Sequence, residues 1–151
     1  NYYENEFQRL KEFTQPNPVV KECIRILRDK GYRTVLATNP LFPQIATYSR
    51  IRWAGLEPEN FDWITTYENS SYCKPNIKYF EEILGKLGLV PDQCIMVGND
   101  VNDDMSAENI GMDTFLVTDC LINTINKDIG HYKKGSVNEL LKFINQLPEI
   151  K

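Results

Sequence analysis

Three carboxylates crowd into five consecutive positions, Asp100, Asp103 and Asp104, within the stretch "GNDVNDDM". Like charges at such short range repel, and the repulsion is costly unless something offsets it. Carboxylate oxygens are the ligands that Mg²⁺ prefers, so a bound cation would offset it. Helix capping explains one aspartate, because Asp is favoured at the N-cap and in the first turn. Three aspartates favour a metal site.

Two other places in the chain could contribute to the same chemistry. Thr38 and Asn39 follow a short apolar run, and a hydroxyl and an amide there can donate hydrogen bonds to phosphoryl oxygens. Lys74 precedes Pro75 at the start of a helix, where an ammonium adds to the helix dipole in attracting anions. Taken singly, a turn and a solvated surface lysine are the favoured interpretations. The functional interpretation requires that these residues converge.

The apolar pattern predicts alternating helices and strands. Stripes with helical spacing predict helices over 17–31, 76–87 and 136–147, a further one from Pro43 to about Gly55, and one ending at Gly111. Short apolar runs predict strands over 35–37, 61–68, 94–97 and 114–119. This alternation favours an α/β fold, a Rossmann-like three-layer α/β/α core with a mostly parallel sheet. The runs are continuously apolar, as in sheets that helices cover on both faces, and Cys94 is expected in the core.

Composition restricts the partners and the compartment. The chain has 151 residues, 42% of them hydrophobic, which suits one domain with a real core. The net charge is −4 and no basic run is visible, so neither nucleic acid nor an anionic membrane is expected as a partner. The four cysteines are scattered without a C-x-x-C pair, and no signal peptide pattern occurs. A reducing cytoplasm is the expected setting.

Three of these features, in this order, resemble the motifs of the haloacid dehalogenase (HAD) superfamily, most members of which are phosphatases. Its strand-end Ser or Thr looks like Thr38 in "VLATN", and its Lys, often followed by Pro, looks like Lys74 in "CKPNIKYF". Its acidic motif, followed by a helix and "AGM", looks like "VGNDVNDDMSAENIGM". The resemblance covers the chain from about Pro16 onward and is closest to the capped phosphatases.

The resemblance implies a Mg²⁺-dependent phosphohydrolase that acts on a small phosphorylated metabolite through an aspartyl-phosphate. Thr38 and Lys74 would be catalytic, and Thr38, Asn39 and Lys74 would bind the phosphate. The acidic motif fits the family in two registers, Asn99 with Asp103 or Asp100 with Asp104. Asp100 is the favoured metal ligand, because a carboxylate binds Mg²⁺ better than an amide does. Asp103 and Asp104 then compete for the second, supporting role.

One family motif has no counterpart here, the D-x-D pair whose first aspartate is the nucleophile. We therefore expect residues 1–15 to be the end of a cap-domain helix returning to the core, and residues 16–151 to be a HAD-like core that is incomplete at the N-terminus. Such a chain should be inactive alone. A sheet that lacks a strand should be completed by a separate chain segment or by self-association.

Two other functions are compatible with the sequence. The first is a non-catalytic HAD-like binding or regulatory module that keeps the anion and metal pocket. The second is a 2-haloacid dehalogenase, an enzyme of the same superfamily that does not need Mg²⁺. The acidic cluster disfavours this second alternative.

Overall fold

The computed structural model describes residues 1–150 and divides the chain into two compact units. The first unit comprises Asn1–Asn69 and the chain from Phe143 onward, and the second comprises Ser70–Lys142. Within the described residues, no helix combines the length and the apolarity that crossing a membrane requires.

Helices separate the strands, except that the fifth strand follows the fourth without one, and every strand pair within the described residues is parallel, which confirms the predicted α/β class. The helices are α1 (Pro18–Asp29), α2 (Gln44–Trp53), α3 (Ile77–Leu87) and α4 (Val137–Gln146). The strands are β1 (Val35–Leu36), β2 (Trp63–Ile64), β3 (Ile95–Gly98), β4 (Asp113–Val117) and β5 (Lys134–Gly135). Short 3₁₀ helices cover Glu6–Phe13, Pro58–Asn60, Pro91–Gln93 and Met105–Ile110.

In the first unit, β1 and β2 form a two-stranded parallel sheet with Val35 opposite Trp63. Helix α1 begins where the Asn17 side chain accepts a hydrogen bond from the Val19 amide at 2.9 Å. Its C-terminal neighbour Lys30 donates to three carbonyls at the end of α4, which closes that helix with a positive charge.

In the second unit, three parallel strands lie in the order β3-β4-β5. Strand β4 is central, and its Leu116 is fully buried. Leu116 packs in a core cluster with Val101, Met105 and Tyr132. The sequence did not predict β5, because Lys134 and Gly135 carry no apolar pattern. They extend the sheet only because β4 offers a backbone edge for pairing.

Burial on both faces was predicted for the strands, and for β3 that prediction was wrong. Met96 is buried, but Ile95 and Val97 are 36% and 39% exposed. These two side chains share the opposite face of a strand at the edge of its sheet. Cys94 is also not a core residue: it is half-buried, and its thiol donates to the Val90 carbonyl at 3.5 Å.

Within the first fifteen residues, Phe7 joins the core of the first unit, while most of its neighbours are exposed. Phe7 is 4% exposed and packs against Ala46 and Trp53, with 5.2 Å between the Phe7 and Trp53 ring centroids. The division between the two units falls after Asn69, so it does not coincide with the predicted boundary between residues 15 and 16. The assignment of residues 1–15 to a cap domain stays a prediction.

Candidate functional site

A buried ion pair joins Lys74 to the loop that follows β3. The Lys74 ammonium lies 2.5 Å from Oδ1 of Asp104, and each side chain is 8% exposed. The other oxygen of Asp104, Oδ2, accepts hydrogen bonds from the backbone amides of Asn99 and Asp100, both at 3.0 Å. One carboxylate thus binds the lysine and shapes the loop at the end of the strand.

Lys74 is held by its surroundings and is not a solvated surface lysine. It lies just before α3, whose first turn is capped by the Asn76 side chain at 3.0 Å from the Lys78 amide. Its ammonium lies 5.8 Å from the centre of the Tyr79 ring, and Tyr79 is 1% exposed. A cation within about 6 Å of an aromatic face is attracted by the ring quadrupole. The ammonium therefore has a fixed position.

Gly98 is required because the Asp104 side chain lies where a side chain at position 98 would be. A Cβ placed on Gly98 would lie 2.5 Å from the Cβ of Asp104. Real carbon atoms do not approach so closely without displacement.

Asp100 caps the turn that carries the acidic motif. Its Oδ1 accepts hydrogen bonds from the backbone amides of Asn102 and Asp103, both at 2.9 Å. The capping interpretation therefore accounts for this aspartate as expected for an Asx turn. Together with the Lys74–Asp104 pair, these hydrogen bonds offset much of the charge repulsion among the three aspartates without a bound cation.

The surroundings of Asp103 disfavour the charged form of its carboxylate. Burial raises the pKa of Asp103 above its ordinary value, and the negative charge of Asp100 raises it further. A hydrogen bond from the Asn102 side chain at 3.2 Å opposes this shift. The carboxylates of Asp100 and Asp103 therefore lie close enough to repel each other.

The residues fit Mg²⁺ as a two-carboxylate site. No group of three or more His, Cys, Asp or Glu side chains within residues 1–150 is arranged to hold a metal ion. Mg²⁺ is usually held by one or two carboxylates with water and substrate phosphate, and Asp100 and Asp103 offer that donor set. The contacts of Asp104 with Lys74 and two amides favour the supporting role for Asp104.

Thr38 and Asn39 lie in the first unit, shortly after β1. The Thr38 carbonyl accepts a hydrogen bond from the Thr65 hydroxyl at 2.6 Å, and the Asn39 carbonyl accepts one from the Leu41 amide at 2.8 Å. Lys74 and the three aspartates lie in the second unit. The structure therefore brings Lys74 and the acidic motif together, while a phosphate-binding role of Thr38 and Asn39 stays a prediction.

A second polar cluster, which the sequence did not reveal, lies around Glu108. Its carboxylate is 3.2 Å from the Lys127 ammonium, 3.1 Å from the Tyr132 hydroxyl and 3.2 Å from Nε2 of His131. Burial raises the pKa of Glu108, but hydrogen bonds from His131, Lys127 and Tyr132 hold it below its ordinary value overall. The cluster ties residues 127–132 to the 3₁₀ helix after the acidic motif.

Comparison with known proteins supports the resemblance to the haloacid dehalogenase superfamily. A family model of haloacid dehalogenase-like hydrolases matches residues 2–111. The chain is 30% identical over 151 residues to the glyceraldehyde 3-phosphate phosphatase of Methanothermobacter thermautotrophicus, covering 99% of this chain and 62% of that protein.

Solved structures share the fold. A HAD phosphatase from Thermococcus onnurineus is 23% identical, with a TM-score of 0.76 over 99% of this chain and 66% of that one. The putative HAD-hydrolase YfnB from Bacillus subtilis, solved bound to magnesium, is 20% identical, with a TM-score of 0.65 over 82% of this chain and 54% of that one. The chain thus spans less than two thirds of the length of these relatives. By its family match and its motifs, this chain belongs to the haloacid dehalogenase-like hydrolases.

Proposed function

We propose that the protein carrying this chain is a Mg²⁺-dependent phosphohydrolase that acts on a small phosphorylated metabolite through an aspartyl-phosphate. The observation that carries the proposal is the buried Lys74–Asp104 pair beside Asp100 and Asp103 at the carboxyl end of β3. Ligands of parallel α/β sheets bind at this end of the strands. The phosphatase relative and the magnesium-bound neighbour support the proposal.

Each side chain of the second unit has a distinct task in this proposal. Lys74 places a fixed positive charge for the phosphoryl group, and Asp104 and the Tyr79 ring hold it in position. Asp100 and Asp103 would hold Mg²⁺, which when bound neutralises charge on the phosphoryl oxygens. Such catalysis depends mostly on positioning and electrostatics.

Thr38 and Asn39 complete the proposed set. They follow β1 as Asp100 follows β3, and we assign them hydrogen bonds to phosphoryl oxygens. The nucleophile is not among these residues, because no Asp-x-Asp pair occurs in the 151 residues. The chain by itself is therefore proposed to be inactive.

Activity assays test the proposal directly. The 151-residue chain and the product of the complete reading frame are incubated with glyceraldehyde 3-phosphate and with p-nitrophenyl phosphate, with and without Mg²⁺. We expect turnover only from the complete protein with Mg²⁺, lowered about 100-fold or more by Lys74→Met. If the 151-residue chain alone shows robust turnover and Asp100→Asn abolishes it, the claim that this chain lacks the nucleophile is refuted. If the complete protein hydrolyses none of a broad panel of phosphate esters, the proposed phosphatase activity is refuted.

Metal binding is tested without turnover. At a Mg²⁺ concentration ten times the dissociation constant, the folded chain should gain about 1.4 kcal/mol, or roughly 3 to 5 °C in melting temperature. Asp100→Asn should remove this gain. Asp113→Asn, at the exposed opposite end of the neighbouring strand, is the control and should keep it. An equal Mg²⁺ response in both variants would contradict the assignment of Asp100.

A non-catalytic binding module is the second candidate, and the lack of an Asp-x-Asp pair favours it. The complete reading frame distinguishes the two. An Asp-x-Asp pair after an apolar strand supports the phosphatase, and its absence supports the module. A dehalogenase that works without a cation is excluded if activity requires Mg²⁺.

A further inference from the structure

Residues 120–122, in the segment that connects β4 to β5, are docked on the acidic loop by three hydrogen bonds. The Ile122 amide donates to the Asn99 carbonyl at 2.9 Å, and the Val101 amide donates to the Ile122 carbonyl at 2.9 Å. The Asn99 side-chain amide donates to the Cys120 carbonyl at 2.6 Å. This short segment therefore has a fixed position relative to the end of β3.

The two backbone bonds make Asp100 and Ile122 the opposed residues of a parallel bridge. Opposed residues of neighbouring strands project their side chains from the same face of the sheet, and neighbouring strands lie about 4.8 Å apart. The Ile122 side chain therefore lies beside the Asp100 side chain, on the same side of the backbone.

Ile122 is apolar, yet it is 43% exposed. It thus presents an aliphatic surface to solvent next to a carboxylate that we assign to the cation and phosphate site. The charged end of a phosphorylated molecule would have its partners in Lys74 and in the cation that Asp100 and Asp103 would hold. An aliphatic side chain offers nothing to a phosphate, but it can cover an apolar part of the molecule that carries it.

We propose that Ile122 is a specificity-determining residue, which contacts the organic part of the phosphorylated substrate, and that Asn99 is the positioning residue that holds it there. The proposal rests on the proposed function and names a substrate class, phosphorylated compounds with an apolar group close to the phosphate. It also gives Asn99 a task other than binding the metal, because its side-chain amide is bonded to Cys120.

Binding measurements separate the apolar contact from the phosphate contact. Inorganic phosphate and phenylphosphonate are titrated calorimetrically, with Mg²⁺, into the product of the complete reading frame. Ile122→Ser should weaken phenylphosphonate binding about fivefold, the factor expected when about 40 Å² of apolar contact is lost. Phosphate binding should change less than twofold. Ile125→Ser is the control, because Ile125 is 52% exposed in the same segment, and it should change neither.

Asn99→Ala tests the positioning role. This substitution should weaken the binding of phenylphosphonate more than that of phosphate, and it should speed hydrogen exchange at the amides of Val101 and Ile122. The control Asn102→Ala should leave those two amides protected. If Ile122→Ser weakens the binding of both ligands equally, or weakens the binding of neither, this inference alone is overturned. A wild-type protein that binds neither ligand with Mg²⁺ would instead overturn the proposed function, and this inference with it.

Discussion

The Lys74 ammonium and the Asp104 carboxylate form a 2.5 Å ion pair in which each side chain is only 8% exposed. Removing one partner of such a pair leaves an uncompensated buried charge. Lys74→Met should therefore lower the free energy of unfolding by about 3 to 5 kcal/mol, measured by urea denaturation.

A surface ion pair in the same unit supplies the control for Lys74. Lys86 lies 3.7 Å from Glu82 on α3, with side chains 35% and 20% exposed. Lys86→Met should cost less than about 1 kcal/mol, because solvent screens such a pair. An equal loss in the free energy of unfolding for the two lysine substitutions would show that burial does not make the Lys74–Asp104 pair more important than a surface pair.

Gly98→Ala should displace Asp104. The added methyl would overlap the Asp104 side chain, and such overpacking costs about 1 to 3 kcal/mol. Gly85→Ala in α3 is the matched control, since a Cβ there meets nothing within 4 Å and alanine should stabilise the helix by about 0.5 to 1 kcal/mol. Denaturation of Gly98→Ala in an Asp104→Gly background, which lacks the overlapping side chain, should show a smaller cost, and an unchanged cost would refute the clash.

The Glu108 cluster predicts a dependence of stability on pH. The pKa of Glu108 in the folded chain lies below its ordinary 4.5, so its contribution is present above pH 4.5 and is lost as the pH falls from there through the lower pKa of the folded state. Glu108→Gln should lower the melting temperature at pH 7 by about 2 to 4 °C, and the difference should shrink below pH 4.5. Thermal melts from pH 3 to 8 test this, with exposed Glu81→Gln as the control. A difference that is constant with pH would contradict the role of the charge.

The exposed face of β3 predicts association. An edge strand with apolar side chains is a template for pairing with another chain, and Ile95 and Val97 supply those side chains. We expect the 151-residue chain to self-associate with rising concentration in sedimentation velocity, and Val97→Lys to reduce this because lysine protects edges. Val90→Lys, at an exposed position outside the strands, should have no effect. A monomeric wild-type chain at high concentration would refute the prediction.

Local patterns predicted most of the helices and strands. The stripe that begins at Val20 with Pro18 before it indicated α1, and the stripe ending at Leu87 before Gly88 indicated α3. Such signals lie within about a dozen residues, so they can be recognised without knowing the fold. Strand β5 has no such signal, because its pairing depends on β4 rather than on its own side chains.

The residue types of the candidate site were also predictable in part. Lys74 and the acidic motif stood out because cationic and anionic side chains follow predicted strands at a family spacing. The sequence left the roles of the aspartates open, since Asn99 with Asp103 and Asp100 with Asp104 have the same spacing. Nothing near residue 98 indicated that its glycine makes room for Asp104.

The sequence by itself determined the α/β class, the order of the motifs and the residues that could carry charge at the ends of strands. Only the tertiary structure decided how three neighbouring carboxylates divide their tasks. Asp104 is bonded to Lys74, thirty residues away, Asp100 caps its own turn, and Asp103 keeps a raised pKa. The physical reason is that a charge is stabilised by what surrounds it in space, and those neighbours come from distant parts of the chain.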